Sequence, residues 1–161
     1  MAVLRSLLPA LVLVVGACSL ILDFDDPLPG GDGGLADARP DGADVAEPND
    51  SFAEATAIGG GMRFPLTVLP RGDQDFYRLT LPAATNLVVT VRFTQSAGDL
   101  DLKLYDAAMV EIARSAGNTD EERIERSSAL GNQLAAGDYY LHVYGFDNLY
   151  TNTYSLEVVG P

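Results

Sequence analysis

Residues 86–94 read NLVVTVRFT, Asn86-Leu87-Val88-Val89-Thr90-Val91-Arg92-Phe93-Thr94. Leu87, Val89, Val91 and Phe93 fall at every second position, with Val88, Thr90 and Arg92 between them. Successive side chains of a strand point to opposite faces, so this spacing lines one face with apolar groups and leaves the other mixed. A helix would scatter the same four residues around its axis. Valine and threonine also suit a pleated surface, and no glycine or proline interrupts the run. The segment is predicted to be a half-buried strand, and the fold class depends on how often its period recurs.

It recurs on both sides. In DFYRLTL, residues 75–81, Tyr77, Leu79 and Leu81 share one face, while Phe76, Arg78 and Thr80 take the other. Leu100, Leu102 and Leu104 point inward by the same rule, with Asp99, Asp101 and Lys103 outward. Further runs at 62–68, 109–114, 123–130, 138–144 and 152–159 bring the count to about eight strands, punctuated by Gly, Pro, Asn and Asp. That pattern predicts an all-β, two-sheet β-sandwich of about 100 residues. One short N-terminal helix is expected at EPNDSFAEATAI, residues 47–58, where Ser51 and Glu54 have capping-box spacing ahead of an Ala-rich stretch.

The 161 residues have room for one such core. Residues 1–17 read as a secretion signal, with Arg5 before the apolar run Leu7 to Val15, which is too short to span a bilayer. Val15-Gly16-Ala17-Cys18 resembles the lipobox of bacterial lipoproteins, which implies lipidation of Cys18. By resemblance to Gram-negative lipoproteins, Ser19 in place of Asp after the cysteine implies the outer membrane of a bacterial envelope. Cys18 is the chain's single cysteine, so an internal disulfide, a C-x-x-C redox pair and a thiolate zinc site are excluded. Residues 18–46 are then the lipidated cysteine and a disordered acidic tether rich in Asp, Gly and Pro, with a coil reach of roughly 30 Å. The folded domain is expected over 47–161.

The formal net charge is −13. Such a surface repels phosphate backbones, which argues against nucleic-acid binding and makes divalent cations natural counterions.

Four segments carry a family likeness: EPNDSFAEATAI, GDQDFYRLTL (72–81), GDLDLKLYD (98–106) and LAAGDYYLHVYG (134–145), closed by YSLEVV. In this order they resemble the bacterial pre-peptidase C-terminal domain family over about residues 46–160. The resemblance implies a jelly-roll-like sandwich. It also implies kinship with collagen-binding modules of bacterial collagenases, whose Ca²⁺ lies at the start of the domain. Matching positions give the candidate ligands Glu47, Asn49, Asp50, Asp73 and Asp75. Ca²⁺ takes six to eight oxygens, which carboxylates, amides and carbonyls supply, and the absence of Cys and His from this set disfavours zinc and copper. From spacing alone, the same residues read as a capped turn and a polar loop.

Tyr140 and Tyr144 lie outward on the strand DYYLHVYG and are candidates for ligand binding, with Phe146 and Tyr150 nearby; Tyr139 and Tyr154 are expected in the core. His142, the single histidine, reads as a surface residue in mid-strand, away from the loops where catalytic bases concentrate. Asp99 and Asp101 read as a solvated face, and Asn118, Asp120 and Glu122 as a loop lacking the glycine of an EF-hand. The expected function is a lipid-anchored, calcium-stabilised, non-catalytic module that binds an extracellular or envelope polymer, protein or polysaccharide. A passive surface-structural domain and a hydrolase are the alternatives.

Overall fold

The computed structural model describes residues 45–160. The expected signal segment, Cys18 and the tether as far as residue 44 lie outside the described residues. Among the described residues nine strands form: β1 (Thr56–Ile58), β2 (Gly61–Val68), β3 (Gln74–Leu81), β4 (Leu87–Arg92), β5 (Leu100–Asp106), β6 (Glu111–Ser115), β7 (Glu121–Arg126), β8 (Gly137–Gly145) and β9 (Asn152–Val159). They make a five-stranded sheet in the order β1-β3-β8-β5-β6 and a four-stranded sheet in the order β2-β9-β4-β7. Every pairing between named strands is antiparallel except β1 with β3.

The core is what the alternation predicts. Tyr77, Leu79 and Leu81 of β3, Leu100, Leu102 and Leu104 of β5, and Tyr139, Leu141 and Val143 of β8 are buried. They face Leu66 and Val68 of β2, Leu87, Val89 and Val91 of β4, Ile124 of β7, and Tyr154, Leu156 and Val158 of β9 within one cluster. Burying a Leu or Val side chain stabilises by about 1.5–3 kcal/mol, so two dovetailed apolar faces hold the sheets together. Tyr77 and Tyr154 bring hydroxyls into this interior and pair them at 2.6 Å.

The expected N-terminal helix does not form. Ser51 Oγ donates to Glu54 Oε2 at 2.8 Å and Glu54 N–H donates to the Ser51 carbonyl at 3.1 Å, so the capping-box pair closes a single turn. No helical segment follows, because Thr56–Ile58 is drawn into a parallel pairing with Tyr77–Leu79. One turn fixes several residues for one hydrogen bond, whereas each residue joining a preformed sheet gains ladder bonds at once. The seventh strand ends at Arg126 and not at residue 130, since Ser128–Leu130 closes into a 3₁₀ turn capped by Ser127.

Candidate functional site: an oxygen cluster beside an aromatic sheet face

Asp73 stands just ahead of β3 and Asp75 lies within it. Residues 47–52 run along the other side of that strand, fixed where the Asn49 carbonyl accepts the Phe76 backbone N–H at 2.9 Å. This contact brings two parts of the chain some two dozen positions apart into one site. Ligand oxygens of Glu47, Asp50 and Asp73 lie within 4.8 Å of one another. Asn49 is fully buried beneath them. Its backbone N–H donates to Glu47 Oε2 at 3.0 Å. Its side-chain amide sits between Glu47 Oε2 and Asp75 Oδ1 and, with nitrogen toward them, donates to both at 3.2 Å. Turned the other way, three oxygens would face one another, an arrangement that a cation or a proton between them relieves.

The cluster is electrostatically loaded. Asp73 Oδ1 accepts the Gln74 N–H at 2.9 Å, and Oδ2 accepts the Leu69 N–H at 2.5 Å. Burial, with the Asp50 and Glu47 carboxylates alongside, nevertheless pushes the Asp73 carboxyl up to about 7. A hard divalent cation suits such a donor set, because it supplies the charge that the carboxylates lack among themselves. Asp75 is fully buried and aims its second oxygen inward, where the Tyr154 hydroxyl donates to it. Burial and Asp75 raise that phenol well above its ordinary value. All five sequence candidates therefore lie together: Glu47, Asp50 and Asp73 as an outer triad, Asn49 and Asp75 as a buried inner pair.

Beside the cluster, the outer face of the five-stranded sheet is aromatic. Phe76 pairs across the ladder with His142, and Tyr144 lies two residues farther along β8. His142 stacks on Phe76 at 4.1 Å and on Tyr144 at 4.7 Å between ring centroids. Phe52, carried by the N-terminal turn, lies over Phe76, Tyr105 and Tyr140 at 4.6, 5.1 and 5.3 Å. Lys103 Nζ sits 4.4 Å above the Tyr144 ring, a cation–π contact. Tyr140 and Tyr144 are half-buried on this face. Phe146 and Tyr150 are exposed on the loop after β8.

Three readings from the sequence are corrected here. His142 is only 6% exposed, because the neighbouring rings cover it on both sides. Burial, then the Lys103 charge, lowers its imidazole to about 3. Its Nε2–H donates to Gln74 Oε1 at 2.7 Å, which leaves Nδ1 without a partner among the described residues; no serine or carboxylate engages either ring nitrogen. Asp101 is likewise buried and not solvated; burial raises its carboxyl, and a hydrogen bond from Tyr144 opposes the rise. Glu122, read as part of a loop, lies in β7 and is buried, accepting the Gly117 N–H at 2.7 Å and the Ser115 hydroxyl. Sequence reasoning did not single out Phe52, Gln74 or Tyr105. The usable signal was the aromatic at position 52, next to a turn that already held the oxygen donors.

Residues 73–145 match the family model described as bacterial pre-peptidase C-terminal domain, which spans β3 to β8 and bears out the resemblance over that stretch. Among solved structures, the pre-peptidase C-terminal domain of collagenase from Bacillus anthracis aligns with 24% identity over 65% of this chain and 93% of that one, at a TM-score of 0.52. PliG from Aeromonas hydrophila, a periplasmic inhibitor of g-type lysozyme, aligns with 15% identity over 66% of this chain and 97% of its own, at a TM-score of 0.46. The collagenase domain is the same kind of β-sandwich. No curated protein matches significantly.

Proposed function

We propose that this sandwich, a bacterial pre-peptidase C-terminal domain over residues 73–145, is a calcium-stabilised, non-catalytic binding module for an extracellular or envelope polymer. The observation that carries the reading is the aromatic outer face of the five-stranded sheet, where Tyr140 and Tyr144 lie among Phe52, Phe76, Tyr105 and His142. Ring faces of this kind suit proline rings or sugar rings, which offer flat apolar surface without charge. The collagenase origin of the solved relative supports a protein polymer as the first to try. Ca²⁺ is assigned to Glu47, Asn49, Asp50, Asp73 and Asp75, where it ties the N-terminal turn to β3 and stabilises the fold by RT ln(1 + [Ca²⁺]/Kd). Cys18 supplies the lipid anchor, and residues 18–46 hold the domain off an outer-membrane surface. Two acyl chains or more at one cysteine suffice for stable anchoring.

The test is retention on insoluble collagen, chitin, cellulose and peptidoglycan, with Tyr140→Ala and Tyr144→Ala alongside. Retention on one polymer that drops with both variants supports the module. Retention unchanged by both removes the tyrosine face. A passive structural domain is the second reading, favoured by the cover that Phe52 and Lys103 place on the face; it predicts no retention on any polymer. Hydrolysis of a generic ester, peptide or glycoside that disappears with His142→Ala would contradict the non-catalytic assignment.

A further inference from the structure

The oxygen cluster and the cover of the aromatic face belong to one short piece of chain. Glu47, Asn49 and Asp50 supply the oxygens, and two residues after Asp50 the Phe52 ring lies across β3, β8 and β5. Phe76 and His142, the rings at the centre of the face, are 8% and 6% exposed. Between the two features the segment is pinned to β3 by the bond from the Phe76 N–H to the Asn49 carbonyl. Whatever loosens the cluster must act on that bond and on Phe52, because too few residues intervene to absorb the movement. Like carboxylates within 4.8 Å repel unless a cation or a proton lies between them.

We infer that residues 47–54 form an ion-latched cover: a divalent cation in the oxygen cluster holds Phe52 on the aromatic face, and its loss lifts the turn and uncovers Phe76, Tyr105 and Tyr140. Resting on the calcium reading above, this makes Phe52 part of the recognition surface only in the ion-bound form. The shape offered to a polymer then depends on the ion.

The latch is tested with calcium alone, without a polymer. Calorimetry with CaCl₂ measures ion binding. Amide hydrogen exchange then reads Phe76, whose protection is expected to fall by about tenfold or more in EDTA while that of Leu141 in the core stays constant. The dye 8-anilinonaphthalene-1-sulfonate is expected to brighten in EDTA as apolar rings are exposed. Phe52→Ala should keep the calcium heat yet bind dye in both buffers, and Phe52→Leu should restore the response of the unaltered protein. Calcium heat with unchanged Phe76 exchange, or a Phe52→Ala dye response like that of the unaltered protein, would overturn the latch and leave the ion site standing. No calcium heat would overturn both.

Discussion

The Tyr154 hydroxyl donates to the Asp75 carboxylate and lies 2.6 Å from the Tyr77 hydroxyl, so a chain of polar groups runs from the oxygen cluster into the middle of the apolar core. A buried carboxylate is tolerated only where donors meet it, and a phenol brings a donor while its ring continues the core. Tyr154→Phe keeps the ring and removes the donor from Asp75. The expected loss is about 1–3 kcal/mol, read as a lower urea midpoint with an unchanged slope. A midpoint equal to that of the unaltered protein would mean that the hydroxyl contributes nothing to folding.

Gly145 ends β8 where the aromatic loop begins. A Cβ at that position would stand 2.1 Å from the Tyr150 carbonyl oxygen and 2.9 Å from its carbon. Backbone cannot move aside as a side chain can, so Gly145→Ala is expected to destabilise by about 1–3 kcal/mol. Gly59→Ala, where nothing lies within 4 Å, serves as the control and should stay within about 0.5 kcal/mol. Chemical denaturation of the two variants in parallel checks the contrast.

The buried imidazole of His142 predicts a pH dependence. Its proton is bound near 6.5 in an unfolded chain but only near 3 in the fold, so the unfolded state takes up the proton first as pH falls. This contribution to stability is whole above 6.5 and is lost progressively as pH drops toward 3. His142→Phe, which keeps an aromatic in the stack, should flatten the decline of the melting temperature over that window. An identical slope in both proteins would show that His142 does not titrate differently on folding.

Asp73 works in the opposite direction. The folded carboxyl holds its proton up to about 7, against 3.8 for the ordinary group. In EDTA, its contribution to stability is therefore present below 3.8 and lost as pH rises toward 7. A bound cation favours the carboxylate and removes that trend. Melting curves between about pH 4 and pH 7, in EDTA and in CaCl₂, should differ in slope for the unaltered protein and converge for Asp73→Asn.

Much of the fold was legible because period-two alternation is a direct consequence of strand geometry. Leu87, Val89, Val91, Leu100, Leu102 and Leu104 all lie inside as their spacing requires. β1 was not legible: three residues are too few to show a period, and their strand character comes from the neighbour they pair with. Alternation also tells which face a side chain takes without telling whether that face is covered, and so the burial of His142 and Asp101 escaped it. His142 is covered by the Phe76 and Tyr144 rings stacked on it, and Asp101 meets the Tyr144 hydroxyl, neighbours that the pairing of β3, β8 and β5 supplies. The oxygen donors were found through motif order and not through spacing, since residues 47–50 and 73–75 meet only after β3 is placed.

The central claim is that oxygens from these two stretches hold a divalent cation that stabilises the fold. Thermal unfolding in millimolar CaCl₂ against EDTA, with Asp50→Ala in both buffers, tests it most directly. A melting temperature several degrees higher in calcium, with the increment lost in Asp50→Ala, is predicted; a gain of about 1 kcal/mol corresponds to about 4 °C in a domain of this size. Superimposable curves for the unaltered protein in the two buffers would contradict the claim and leave Glu47, Asn49 and Asp50 as the residues of a capped turn.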